Sequence, residues 1–282
     1  LRERGLRIMG TAPGRRPPLA WERGPRPAPP VLKSRRRARD AAPVPPAITA
    51  TDLPASMSPT GPYRIAMVCT GNICRSAMAR VVLIDRLTAA GVPDDGVDGV
   101  AVTSSGVSDE EHGNPMDRRA RRILADHGYG RGSDDVARAV SRAIAAHRAH
   151  RISDAELADS DLILAMTSRH RDALLRRADR LGLGDGPAPG DGPGAEAGRI
   201  RLFREFDPAA DEFVVGRGAP PPAALDVPDP WYGTMEDFAA TLDVVERVSD
   251  ALAPALVELA AERSQTLTRP QAPGRAVRPA SR

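Results

Sequence analysis

The stretch "YRIAMVCTGNICRSAMARVVLIDRL", Tyr63 to Leu87, constrains this chain more than any other. A short apolar run ends in a glycine-containing loop, and a helical pattern follows at once. The loop holds both cysteines of the 282-residue chain, Cys69 and Cys74, with Arg75 directly after the second. A strand feeding a helix through a tight loop is the opening unit of an α/β fold. Successive backbone N–H groups at such a helix start form a concavity that binds a tetrahedral oxyanion. Gly71 permits the turn, and Arg75 offers a planar fork to two phosphoryl oxygens. The same field is expected to hold Cys69 as a thiolate, with the Ser76 hydroxyl donating to it. That arrangement suits phosphoryl transfer through a phosphocysteine.

The pattern of strand followed by helix continues downstream. Strands are expected at Gly99–Gly106, Asp161–Thr167 and "RIRLF". Helices are expected from Ser76, from Pro115 to Gly128, within "SDDVARAVSRAIAAHRAHRIS", after Thr167, and from Thr234 to Ala261 with Pro254 as a bend. Alternation of this kind predicts a single doubly wound α/β domain with a parallel sheet covered on both faces. Active sites in such folds lie at the carboxyl ends of the strands, where Cys69 stands.

Charge sets the expected limits of that domain. Residues 1–60 carry 12 Lys/Arg against 4 Asp/Glu, and residues 264–282 carry four Arg and no acid. The body, 61–263, holds 24 basic and 33 acidic residues, so the chain's net +3 belongs to its ends. The expected organisation is a disordered basic Pro/Arg-rich tail over 1–60, a catalytic domain over 61–263 and a disordered basic tail over 264–282. Met57, just before the ordered pattern, is a candidate working start that leaves 56 residues upstream. No stretch approaches the roughly 18 apolar residues of a membrane span, and no apolar signal core stands near Leu1. Two cysteines in a chain of this length point to a reducing compartment, with the cytoplasm as default. A metal is not expected, because zinc would need two ligands beyond the cysteine pair.

Thiolate displacement of an alkoxide or phenoxide also needs a proton donor. "VPDPWYG" supplies Asp229 between two prolines, with Trp231 and Tyr232 suited to flank a phenyl ring.

"VCTGNICRSAMA" together with "VPDPWYG" resembles the low-molecular-weight protein tyrosine phosphatase family, over about Tyr63 to Leu259. The resemblance implies a four-stranded parallel sheet, no cofactor and no metal. It makes Cys69 the nucleophile, Arg75 the phosphate clamp and Asp229 the general acid and later base. Thr70, Gly71, Asn72, Ile73, Cys74 and Ser76 complete the phosphate loop, in which Asn72 braces the turn and Ser76 assists the thiolate. Cys74 matches a second cysteine that forms a reversible disulfide with the nucleophile. His127 and His147 fall at two structural histidines. The implied partners are phosphotyrosine proteins and a cognate tyrosine kinase, with no requirement for nucleic acid.

Three departures accompany the resemblance. Glu110 takes the place of a pocket aromatic, within the acidic triplet Asp109–Glu111. Thr167 replaces an acid after the third strand. Residues 130–144 and most of 182–199 have no counterpart and are expected as surface additions. Arsenate reductase is disfavoured by the lack of a further distal cysteine, and protein arginine phosphatase by Ile73, where that group carries Thr. A non-catalytic phosphate-binding or redox-sensing module is the remaining alternative.

Overall fold

The computed structural model describes residues 48–184, 198–210 and 222–268. Strands β1 (Tyr63–Cys69), β2 (Val100–Gly106), β3 (Leu162–Ala165) and β4 (Ile200–Leu202) form one parallel sheet in the order β2-β1-β3-β4. Around it lie α1 (Arg75–Ala89), α2 (Arg118–Asp126), α3 (Asp135–Ala146), α4 (Asp154–Asp159), α5 (Ser168–Arg180) and α6 (Met235–Thr268). The expected four-stranded, doubly wound α/β architecture is the one observed.

Side-chain alternation along β1 explains the two layers. Tyr63, Ile65 and Met67 face a core shared with α1, α2, α3 and α6, where Val82, Leu124, Val140 and Leu242 are buried. Ala66 and Val68 face the opposite layer, with Leu157 of α4 and Leu174 and Ala178 of α5. The chain runs from β1 to β2 on one side and then crosses back to β3 on the other. The carboxyl end of β1 is therefore the switch point at which ligands of open sheets bind, and Cys69 ends that strand.

Several boundaries differ from expectation, each for a local reason. α1 starts at Arg75 with Cys74 as its N-cap, because the Ser76 hydroxyl bonds Cys69 and Asn72 and does not cap. α2 starts behind Asp117, whose carboxylate accepts the Arg119 N–H at 2.6 Å; this cap outweighs Pro115. The "SDAE" run makes a separate helix, α4, through a reciprocal Ser153–Glu156 capping box. β3 is shorter than Asp161–Thr167; just before it the Asp161 N–H donates to the Arg64 carbonyl (2.9 Å) while its carboxylate accepts the N–H groups of Met57 (2.6 Å) and Arg64 (2.7 Å). α6 runs on through Pro254.

Two larger corrections concern domain limits. The segment 130–144 is no surface addition: α3 packs on α1 and buries Ala137, Val140 and Ala143. Residues 48–60, assigned by composition to a disordered tail, belong to the body. Ala50 and Leu53 are buried in the main core, the Ala50 N–H donates to Glu258 (2.9 Å), and the Tyr63 hydroxyl donates to the Pro54 carbonyl (2.9 Å). The charge average over 1–60 hides that residues 41–60 carry a single charged residue, Asp52. A start at Met57 would discard Ala50 and Leu53. At the other end the helix continues past residue 263, where Arg263 donates to the carbonyls of Val97 (2.9 Å), Ser58 (3.1 Å) and Gly61 (2.6 Å). Residues 1–47, 185–197, 211–221 and 269–282 lie outside the described residues. Among the described residues no helix is long and apolar enough to cross a membrane, and no group of three His, Cys, Asp or Glu is placed to hold a metal ion.

Candidate active site

Cys69 leaves β1 into a loop whose shape depends on two unusual residues. Asn72 has φ +60° and is fully buried, a left-handed conformation that Asn tolerates better than most residues. Gly106, at the end of β2, approaches so closely that a Cβ there would lie 2.4 Å from the Thr70 carbonyl oxygen. The neighbouring loop is stitched alongside by N–H bonds from Val107 to Cys69 O (2.9 Å), Ser108 to Thr70 O (3.0 Å) and Asp117 to Ile73 O (2.9 Å). The loop's carbonyls thus face away from the concavity. Among the described residues the N–H groups of Gly71, Asn72, Ile73 and Cys74 meet no protein acceptor. Unpaired N–H groups at a helix start form an anion nest.

Beneath the nest, Cys69 Sγ lies 3.0 Å from Ser76 Oγ. The Asn72 amide has two hydrogen-bonded settings against that hydroxyl. With Nδ2 donating to Ser76 Oγ (3.0 Å), the hydroxyl proton is free for the sulfur. Turned over, Oδ1 accepts from Ser76 Oγ (3.0 Å), Ser104 Oγ (3.0 Å) and the Ser105 N–H (3.2 Å), and Nδ2 donates to Ser104 O (3.1 Å). The second satisfies more groups; the first is the one that stabilises a thiolate.

Arg75 is 4% exposed. Its Nη1 donates to Val227 O (3.2 Å), and its Nη2 donates to Asp229 Oδ2 (2.5 Å) and, more weakly, to Thr70 Oγ1 (3.4 Å). Its Nε is buried with no partner among the described residues. A buried guanidinium donor without an acceptor is costly unless an anion completes it. The Asp229 loop is carried over Arg75 by two ties to the β3–α5 junction: Val227 N–H donates to Met166 O (2.8 Å), and the Ser168 N–H donates to the Asp226 carboxylate (2.6 Å).

These groups line one cavity of about 250 Å³, with Cys69, Thr70, Gly71, Ile73, Cys74, Arg75, Glu110, Glu111, Asp229, Trp231 and Tyr232 on its walls. All six residues expected to carry the reaction or shape the slot (Cys69, Arg75, Asp229, Glu110, Trp231 and Tyr232) therefore meet in one place. Trp231 and Tyr232 stand edge to face, 6.5 Å between ring centres, and Tyr232 is 96% exposed. Glu111 crowds Gly71, where a Cβ would lie 2.8 Å from its Cγ. Burial, the Asp117 carboxylate, the neighbouring Cys69 and Asp229 push the Cys74 thiol well above the ordinary range.

The model of the low molecular weight phosphotyrosine protein phosphatases matches residues 64–182. A low molecular weight protein-tyrosine-phosphatase of Streptomyces coelicolor is 34% identical over 196 residues, which are 70% of this chain and 94% of the relative. The chain belongs to this phosphatase family. The low molecular weight protein-tyrosine phosphatase A of Mycobacterium tuberculosis is also 34% identical, over 66% of this chain and 86% of its own. A protein-arginine-phosphatase of Geobacillus stearothermophilus is 29% identical, over 69% and 97%.

The phosphatase's departures acquire physical readings. Thr167, where the family has an acid, caps α5 by accepting the His170 N–H (3.2 Å). His147 Nε2 donates to the Asn72 carbonyl (2.7 Å) and so holds the left-handed turn. His127 faces Glu246 at 3.6 Å. Two neighbours went unread in the sequence. Arg119 spans Asp117 and the Gly233 carbonyl and stacks beneath Trp231 at 5.6 Å, propping the aromatic wall. His170 reaches Thr70 from α5. The only sequence trace of either is its place in the first turn of a helix behind a capping residue.

The buried histidines make stability pH-dependent. Burial lowers His147 from its ordinary value to about 4, so the folded protein holds it neutral. Between pH 6.5 and 4 the unfolded chain binds this proton and the folded chain does not. Its contribution is therefore complete above about pH 6.5 and is lost as pH falls towards 4, by about 1.4 kcal/mol per pH unit at most. Denaturation midpoints of wild type and His147→Gln should converge across that window. A constant difference would contradict the assignment.

Proposed function

We propose that the protein is a protein tyrosine phosphatase that hydrolyses phosphotyrosine monoesters through a phosphocysteine. The observation that carries the reading is the guanidinium of Arg75, which brings an unpartnered buried donor, the general-acid candidate Asp229 and the Cys69 loop to one point. A phosphoryl group seated in the nest takes up the loop N–H groups and the Arg75 fork. Cys69 Sγ attacks phosphorus in line, the S–P bond forms as the P–O bond breaks, and Asp229 protonates the leaving phenoxide. Asp229, now a carboxylate, takes a proton from the water that attacks the phosphocysteine, which releases inorganic phosphate and the thiolate. Seating the phosphoryl group also competes for the Nη2 that holds the Asp229 carboxylate, and the negative charge of the bound phosphoryl group then favours its taking up from solvent the proton that it delivers to the leaving group. Hydrolysis of p-nitrophenyl phosphate and phosphotyrosine peptides, undiminished by chelator, tests the reading; inertness towards both would refute it.

Phosphotyrosine proteins are then the partners, with the kinase that phosphorylates them acting upstream. A second reading, arginine phosphatase, is favoured by one observation: Glu110 and Glu111 on the cavity wall suit the N–H groups of a phosphoguanidine as well as a ring. Ile73, buried beside the nest, favours the aryl ester. For aryl substrates the acidic wall should select basic flanks, about several-fold in kcat/KM and fading with salt, because each exposed pair is worth only about 0.2–1 kcal/mol. Glu110→Trp should tighten aryl phosphate binding. Neutral behaviour of that variant, with no flank effect, would remove the triplet from substrate recognition.

Redox control belongs to the same reading. Peroxide should carry Cys69 to the sulfenic acid, and Cys74 should then displace water from it to give a Cys69–Cys74 disulfide. Cys74→Ala should stay active yet lose its recovery with thiol after peroxide. Full recovery would show that Cys74 merely packs under the loop.

A further inference from the structure

Helix α5 brings up behind Thr70, on the cavity wall, a residue that neither motif contains. Thr167 fixes His170 on the first turn, where the imidazole is 6% exposed. Its Nε2 lies 2.9 Å from Thr70 Oγ1, the same oxygen that Arg75 Nη2 approaches at 3.4 Å. His170 Nδ1 is buried with no partner among the described residues. Burial and the charge of Arg75 push the ring's pKa down to about 4, so it is neutral at physiological pH.

The orphaned Nδ1 decides the tautomer. A proton on Nδ1 would leave a buried N–H donor without an acceptor, whereas a proton on Nε2 leaves only a lone pair unused. Nε2–H therefore donates to Thr70 Oγ1. With His170 and Arg75 both donating to that oxygen, its lone pairs are taken, and its own proton must point elsewhere. Thr70 is exposed and lines the cavity over Cys69.

We propose that His170 is a positioning residue that acts through Thr70: by donating to Oγ1 it turns the hydroxyl proton into the cavity as a donor to a phosphoryl oxygen. The inference rests on the phosphoryl-transfer reading of the loop and adds to it one side-chain donor. Charge on the equatorial oxygens matters most in the transition state, so the loss should fall on kcat and on vanadate affinity, with KM nearly unchanged.

The test compares Thr70→Val, His170→Leu, His170→Gln and the double variant Thr70→Val/His170→Leu. The readouts are p-nitrophenyl phosphate turnover and vanadate binding by calorimetry. Thr70→Val and His170→Leu should each lower kcat and vanadate affinity on the order of tenfold, the loss of one hydrogen bond to a charged group. The double variant should be no worse than Thr70→Val, and the amide of His170→Gln should restore most of the loss. Multiplying losses, a Gln variant as poor as Leu, or full vanadate affinity in Thr70→Val would each overturn the inference. Should His170→Leu fail to fold, His170→Met, which also lacks the donor, takes its place in the comparison with Thr70→Val. Vanadate binding needs no turnover: a wild type that binds vanadate in a Thr70-dependent way without hydrolysing esters would sink the phosphatase reading and leave this one standing. A wild type that binds none sinks both.

Discussion

Cys69→Ser is expected to abolish hydrolysis of aryl phosphates while phosphate still binds. The nest N–H groups, Arg75 and Asp229 do not depend on the sulfur, and a serine hydroxyl is small enough for the same site. What disappears is the nucleophile, since an alcohol beside Ser76 and Asn72 has no base to remove its proton. Turnover should fall to background, and inorganic phosphate should inhibit or bind as it does in wild type. Residual activity above a few per cent would place the nucleophile elsewhere. Loss of phosphate binding along with activity would mean that the substitution collapsed the loop.

The second large effect is expected at Asp229. Asp229→Asn should slow phenyl phosphate by about 10²–10⁴, the ordinary contribution of a positioned general acid. The loss should shrink as the leaving group improves, because a stable phenoxide needs little protonation. The ion pair adds a second signature. With the charge gone, Arg75 Nη2 has only a weaker amide acceptor to release, so phosphate affinity should hold or rise as kcat falls. Equal losses for poor and good leaving groups would make Asp229 a structural partner of Arg75 and nothing more.

How much of this was legible in the sequence follows from the range over which each contact acts. The β1–loop–α1 unit, the parallel sheet and the six cavity residues are written in contiguous patterns: an apolar run, a glycine turn, a helical period, and an aspartate held by two prolines. His170 and Arg119 are not. Each matters because of a partner about 100 residues away or more, Thr70 for one and Gly233 for the other, and no local period marks such a meeting. The helix over 135–146 was legible as a helix but not as core, since Val140 is buried by α1 and not by anything in its own segment. Residues 48–60 were misassigned because their low charge was averaged with an Arg-rich stretch. Thr167 shows the converse: a departure that looks like a lost acid is a helix cap, a role its identity as Thr already allowed.

The central claim is that phosphorus passes through Cys69 Sγ. Rapid quench of the Asp229→Asn variant with p-nitrophenyl phosphate, followed by mass spectrometry of the peptides covering residues 65–80, tests it most directly. Slowed attack on the intermediate should let a phosphocysteine accumulate, and the peptide should carry one phosphoryl group on Cys69 that vanishes as product forms. A phosphoryl group on Ser76, Cys74 or any other residue, or turnover with no phosphorylated peptide at all, would contradict the account.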